Sequence, residues 1–279
     1  MPQADDWLTQ ASKGFEPPTD LRPEVPHPAR VYDWLLGGKD HFPSDRAAGE
    51  RLVAASPTMR QAAVANRAFL QRAVRELAAA GIDQFLDIGT GIPAAGNTHE
   101  IAQSLNPHAR VMYVDNDPIV LAHARALMAG AGHGETRVLH ADLREPGRIL
   151  AAPDVRSLLD FDRPVGLLLV AIMHFVLDQD RPYEIVAELL DALAPGSCVI
   201  LSHGTGDFID PEVRARAAAA YSQSSTPAVG RSHAEVARFL DGLELLPPGI
   251  VTAPLWRPDG PTTPEDARLP VYAAVARKP

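Results

Sequence analysis

Asp87 stands two residues before a Gly-x-Gly turn, Gly89-Thr90-Gly91, inside the apolar run Phe85-Leu86-Asp87-Ile88. A buried strand that ends in such a turn lets a ligand approach the backbone closely, because glycine has no Cβ and tolerates positive φ. The carboxylate narrows the choice of ligand. An acid beside the turn repels a pyrophosphate and suits a cationic end. S-adenosylmethionine carries a sulfonium and an ammonium and no phosphate, so Asp87 favours it over NAD. Gly89 to Ala94 also fit Gly-x-Gly-x-x-Ala, a pattern too common to separate the two nucleotides.

Three further acidic or imidazole-bearing positions follow expected strands. Asp115 comes 24 residues after Gly91, where an acid accepts hydrogen bonds from both ribose hydroxyls of an adenosine. Asp117, before Pro118, is the better helix cap, which leaves Asp115 free for a ligand. Asp142, within Ala141-Asp142-Leu143, is placed to accept from an adenine amine, with Leu143 offering an apolar face and a backbone N–H. The fourth stretch is Ala171-Ile172-Met173-His174-Phe175, where a methyl donor and acceptor would meet. His174 is either a general base, with its ordinary pKa of about 6.5, or a packed ring. His203 is a weaker candidate of the same kind.

Alternating strands and helices must position these groups. The spacing predicts strands near 84–88, 110–114, 136–140, 165–170 and 198–202. Helices are expected near 97–106, 117–129, 181–193, 211–221 and 233–240. Asn97 and Glu100 form a capping-box pair. Gly242 to Leu246 and Leu269 to Ala276 read as two strands joined by a Pro-rich loop over 247–264 with no crossover helix, so they can pair antiparallel. The fold class is a doubly wound, seven-stranded, mostly parallel sheet with an antiparallel C-terminal strand and an N-terminal helical extension. A helix before the sheet is expected from Ser56 as N-cap and Pro57 as first residue to Gly81. Met59, Ala63, Leu70, Val74 and Leu77 form its buried stripe, and Asn66 falls on the same stripe. Residues 1–26 read as an extended arm, 27–81 as a helical lid and 82–279 as the ligand-binding domain.

Composition bounds the partners. The 279 residues are 46% apolar with a net charge of −9, which argues against nucleic acid or an anionic membrane. Met1-Pro2-Gln3-Ala4-Asp5-Asp6 lacks a signal-peptide pattern. No apolar run approaches the roughly 18 residues of a membrane span. Cys198 is the single cysteine, so no internal disulfide is available, and a cytoplasmic protein without a metal site is expected. Arginine far outnumbers lysine, which fits a GC-rich bacterial genome.

Together the four strand ends and the terminal strand pair resemble the class I, seven-stranded S-adenosylmethionine-dependent methyltransferases. The stretch Pro28-Ala29-Arg30-Val31-Tyr32-Asp33-Trp34-Leu35-Leu36-Gly37-Gly38-Lys39-Asp40-His41-Phe42 looks like the signature of a bacterial S-adenosyl methyltransferase family of unknown function. With it the resemblance spans nearly the whole chain. It implies that Asp87, Gly89 and Gly91 surround the methionine moiety, that Asp115 holds the ribose with Asn116 beside it, and that Asp142 and Leu143 flank the adenine. Ala171 and His174 would border the same ligand. The chain departs from the pattern at Pro93, where many such enzymes carry a third glycine.

The signature stretch also has a physical reading. Gly37-Gly38 lets backbone approach a ligand, Lys39 can pair with the methionine carboxylate, and Tyr32 can stack or hydrogen-bond beside it. The expected activity is methyl transfer from S-adenosylmethionine to a small-molecule acceptor. An NAD(P)-dependent oxidoreductase and a non-enzymatic S-adenosylmethionine-binding module are the alternatives. No catalytic residue, acceptor or oligomeric state follows from the sequence. Trp7, Trp34 and Trp256 suit either an apolar acceptor site or core contacts.

Overall fold

The structure, a computed structural model, describes residues 22–128, 134–209 and 227–279. The expected helix near 211–221, Trp7 and most of the N-terminal arm lie outside the described residues. Three helices open the chain: α1 (Pro28–Leu35), α2 (Pro43–Ala55) and α3 (Met59–Ala79). Parallel strands and crossover helices then alternate: β1 (Gln84–Ile88), α4 (Thr98–Leu105), β2 (Arg110–Asp115), α5 (Pro118–Met128) and β3 (Thr136–His140). Two short helices, α6 (Pro146–Ala151) and α7 (Pro153–Leu158), lead to β4 (Gly166–Val170), α8 (Pro182–Asp191) and β5 (Cys198–Gly204). The chain ends with α9 (His233–Ala237), β6 (Glu244–Leu245), β7 (Val251–Thr252) and β8 (Val271–Arg277).

The sheet runs β3-β2-β1-β4-β5-β8-β6, parallel through β5 and antiparallel at β8. Seven strands in the main path, mostly parallel with an antiparallel C-terminal strand, are as expected. An eighth strand, β7, shares the far edge of β8 with β6. A two-residue strand has no period to read, which is why it escapes a sequence reading. The topological switch lies between β1 and β4, and the carboxyl ends of these strands face one rim.

Strand alternation divides the core. Leu86, Ile88, Met112, Val114, Leu167 and Leu169 pack under α6, α7 and α8. Phe85, Val111, Tyr113, Leu168 and Ile200 pack under α3 and α4. Successive side chains point to opposite faces, so Asp87 and Asp115 share parity with the second set. Both acids therefore open on the face that α3 covers. Phe69, Leu70, Ala73, Val74 and Leu77 of α3 are buried in that layer. Phe69, Leu70, Val74 and Leu77 each contribute about 1.5–3 kcal/mol through removal from water.

The start of α3 differs from expectation. Ser56 ends α2, its N–H donating to the Leu52 carbonyl, and Thr58 stands at the N-cap of α3. Three residues of turn, 56–58, separate the helices, so the Ser-Pro pair serves as a corner rather than a cap. The C-terminus closes as expected. Gly81 has φ +97°, and the Gly81 and Ile82 amides donate to Ala78 and Leu77, the paired bonds of a glycine-terminated helix.

Trp256 is fully buried, edge-on to Phe69 at 5.4 Å, so it is core. Its loop is held by Arg72, a 6% exposed residue of α3 whose Nε donates to the Trp256 carbonyl at 2.9 Å and whose Nη2 donates to Ala253 at 2.7 Å. Removing a buried donor leaves both carbonyls unpaired. Arg72→Ala is expected to cost about 2–4 kcal/mol in urea unfolding. Arg75→Ala, which breaks an exposed pair with Asp259, is expected to cost less than about 1 kcal/mol.

Candidate cosubstrate site

The first group at the rim is Asp87 of β1, 5% exposed. Its Oδ2 accepts a hydrogen bond from the Thr98 hydroxyl at 2.7 Å. Burial pushes its pKa up to about 6; the Thr98 bond and the positive charge of Arg67 oppose the rise, and Asp115 adds to it. No cation pairs with Asp87 directly among the described residues. A carboxylate in this setting is a poised counter-charge.

The turn after β1 keeps space for a ligand. Gly91 has φ +67°, and nothing lies within 4 Å of where its Cβ would be. Gly89, at φ +78°, is needed for packing as well as conformation, since a Cβ there would sit 2.6 Å from Ile172 Cγ1. The Gly91 amide donates to Asp115 Oδ2 at 2.9 Å, and the Asp117 amide to Asp115 Oδ1 at 2.9 Å. Asp115 is thus fixed in orientation by one bond to each oxygen, and each oxygen keeps a lone pair for another donor. Burial raises its pKa, against those two backbone bonds and nearby His27.

Asp117 caps α5, accepting from the Ile119 amide at 2.8 Å, as its position before Pro118 suggests. Its other oxygen faces the N-terminal segment: His27 Nδ1 lies 3.0 Å away and Arg30 Nε 3.4 Å away. Burial works to raise the Asp117 pKa, but His27, the Ile119 amide and Arg30 outweigh it and hold it below the usual range. Arg30 also approaches Asp45, a fully buried acid that accepts from the His27 and Phe42 amides. These contacts dock α1 beside the β2 end.

Asn116 is exposed beside Asp115. Asp142 is half-buried and paired with Arg144 at 2.6 Å, which holds its carboxyl below the usual range. Leu143 is 7% exposed and packs into the α6–α8 core. Ala171 takes φ +55° and its amide donates to Ser202 Oγ at 2.9 Å.

His174 is half-buried. Its Nδ1 accepts from the Gly204 amide at 3.3 Å, so in the neutral ring Nε2 carries the proton. Burial, His203 and Arg231 push its pKa down to about 3. The ring is a neutral donor at ordinary pH, with its one basic nitrogen already engaged. His203 is fully buried and satisfied: Nδ1 meets the Gly204 carbonyl at 2.7 Å and Nε2 meets Arg231 at 3.0 Å. Its pKa falls to about 4, again through burial first. Arg231, 2% exposed, also donates to the Met173 and Val176 carbonyls and to Asp178. It ties the loop after β4 in place. Nothing in the local sequence marks it, because its partners lie 28 to 58 residues away.

The signature stretch is largely internal scaffolding. The Tyr32 hydroxyl donates to the Ala63 carbonyl at 3.0 Å and accepts from Asn66 Nδ2 at 2.9 Å, which joins α1 to α3. Gly38 leaves room for the Asp33 carboxylate, which a Cβ would overlap. Asp33 in turn accepts from the Asp40 amide and from His41. Trp34 lies under the Arg60 guanidinium at 3.8 Å. Lys39 is exposed and has no ion-pair partner among the described residues. Arg67 of α3 reaches the segment that follows the Gly-x-Gly turn, its Nη2 donating to the Ala94 carbonyl and to Asn97 Oδ1, and its neighbour Asn66 is 3% exposed.

Residues 15–279 match the model of a family described as S-adenosyl methyltransferase. A crystal structure of a DUF574-family protein from Streptomyces avermitilis is 46% identical, covers 93% of this chain and 100% of its own, and superposes with a TM-score of 0.88. A putative methyltransferase from Thermobifida fusca is 41% identical, with coverages of 94% and 98% and a TM-score of 0.85. The small RNA methyltransferase HEN1, 12% identical with a TM-score of 0.50 over 75% of this chain and 25% of its own, shares the fold. No curated protein matches the chain. The chain belongs to the S-adenosyl methyltransferase family, and S-adenosylmethionine is its cosubstrate.

Proposed function

We propose that the carboxyl ends of β1 to β4 hold S-adenosylmethionine and that its methyl group passes to a small-molecule acceptor. Asp87 faces the cationic methionine end, with Gly89 and Gly91 allowing close approach. Asp115, with Asn116 beside it, takes the ribose hydroxyls. Asp142 and Leu143 flank the adenine, while Ala171 and His174 border the place where donor and acceptor meet. Residues 27–81 cover the site and 82–279 form the binding domain, with α3 joined to both through its core stripe. Tyr32 and Gly38 serve by holding that cover together, and Lys39 stands at its exposed edge. The observation that carries this reading is Asp87: a buried carboxylate with one hydroxyl partner and a pKa of about 6 fits a cationic ligand and opposes a phosphate.

The cosubstrate brings an activated methyl group, so the protein's work is to align donor and acceptor and to exclude water. His174 Nε2–H can donate to an acceptor atom; with Nδ1 engaged, the ring is unsuited to take a proton. The net charge of −9 supports a small acceptor over nucleic acid. So does the pairing of surface arginines such as Arg144, Arg163, Arg257 and Arg277 with acids. No described helix is long and apolar enough to cross a membrane. A cytoplasmic location is consistent with the single, buried, free cysteine.

Calorimetric titration with S-adenosylmethionine, S-adenosylhomocysteine and NADH tests the site. The first two are expected to bind and NADH is not. Asp115→Ala is expected to weaken both about 10–100-fold, the worth of hydrogen bonds to a charged group. Unchanged affinity would remove Asp115 from the site.

Asp87 gives a prediction of opposite signs. Its carboxyl titrates at about 6 in the folded protein against 3.8 as its ordinary value. A raised acid destabilises the fold where it must be charged, so the cost is full above about pH 6 and is relieved as pH falls toward 3.8. Asp87→Asn is therefore expected to stabilise the ligand-free protein at pH 7 by about 2–3 kcal/mol, measured by urea unfolding. The same change is expected to weaken S-adenosylmethionine binding at least about tenfold.

A further inference from the structure

Two buried polar atoms on consecutive residues of α3 have no partner, and they are of opposite kinds. Asn66 Oδ1 is an unpaired acceptor and Arg67 Nε an unpaired donor. The assignment of the Asn66 amide is fixed by its neighbour. The Tyr32 hydroxyl spends its proton on the Ala63 carbonyl, so it must accept from Asn66 Nδ2, which leaves Oδ1 empty. Buried orphans of this sort are uncommon and call for a partner.

The turn itself is poor in free donors. The Gly89 amide is spent on Val114, that of Gly91 on Asp115 and that of Ala94 on Asn97. Pro93 has no N–H to give. The Gly96 amide is bonded to Glu100. At Pro93, where a third glycine would offer an N–H, a carboxylate arriving here finds none. Arg67 stands over the same segment: its Nη2 grips Ala94 and Asn97, and its charge is felt by both Asp87 and Tyr32.

Resting on the site proposed above, the geometry points to Asn66 and Arg67 as the clamp for the amino-acid end of the cosubstrate. Arg67 takes the α-carboxylate and Asn66 Oδ1 accepts from the α-ammonium. The recognition element for a zwitterion is thus moved from the turn to α3, and a covering helix becomes part of the binding site. Arg67 fills the role that the sequence allows for Lys39.

The test compares S-adenosylhomocysteine with 5′-methylthioadenosine, which keeps the adenosine and thioether but lacks the amino-acid group. Both are titrated by calorimetry into the wild-type chain, Arg67→Gln and Arg67→Lys. Arg67→Gln is expected to weaken S-adenosylhomocysteine at least tenfold and to leave methylthioadenosine within twofold. Arg67→Lys, which keeps the charge and the fold-holding contacts best, is expected to fall between. If Arg67 only braced the 94–97 loop, both ligands would weaken together, and that result overturns the proposal. S-adenosylhomocysteine binding within twofold of wild type in both variants overturns it equally. Failure of the wild-type chain to bind either ligand would instead defeat the cosubstrate site on which the clamp rests. Should Arg67→Gln not fold, Arg67→Lys alone decides: selective loss of S-adenosylhomocysteine affinity supports the clamp, and parallel or no loss refutes it.

Discussion

A carboxylate held in a low-dielectric setting without a cation is the constraint around which this rim is organised. Asp87 sits on β1 with parity that points it under α3, so the helices that cover the sheet also strip its water. Thr98 and the distant charge of Arg67 ease the burial and do not cancel it, which is why the carboxyl titrates near 6. The fold tolerates this because a large two-faced core stabilises the rest of the sheet. Local destabilisation of a binding group is the usual cost of pre-organisation. A cationic ligand would supply what the protein withholds.

The second organising feature is the chain of contacts that joins the N-terminal segment to the β2 end. Asp115 orients through Gly91 and Asp117; Asp117 reaches His27 and Arg30; Arg30 reaches Asp45. Tyr32 and Asn66 then tie α1 to α3. The turn that would hold the ligand and the helices that cover it are thus one connected set of buried polar groups. In low dielectric such a set is rigid when complete and costly when broken. The rim after β4 is fixed separately, by Arg231 spanning Met173, Val176, Asp178 and His203.

How much of this was legible in the sequence follows from the range of each interaction. The parallel strands, the Asn97–Glu100 capping box, the Asp117 cap and the antiparallel β6–β8 pair all leave local signals of period, spacing or dipeptide type. Helices α6 and α7 left none, being six residues each. The N-terminal helices leave only an outline in the sequence. Ser56-Pro57 suggested a helix start because the dipeptide is equally good as a corner. Gly38 suggested backbone access, while the structure gives it a packing duty against Asp33. Arg72, whose partners are 181 and 184 residues away, and Arg231 were invisible because long-range partners leave no spacing to read. His174 and His203 could be placed at strand ends, but their tautomers depend on Gly204 and Arg231, which only the fold brings near.

Asp87, a buried carboxyl with a pKa of about 6, would be driven to its ionised form by a cationic cosubstrate. Proton release on binding measures this directly: calorimetry of S-adenosylmethionine binding at pH 6 in buffers of different ionisation heat. With the carboxyl half protonated near its pKa of about 6, roughly half a proton per ligand is expected to leave the wild-type protein. None should leave Asp87→Asn. No release from the wild type, or equal release from both, would contradict the account.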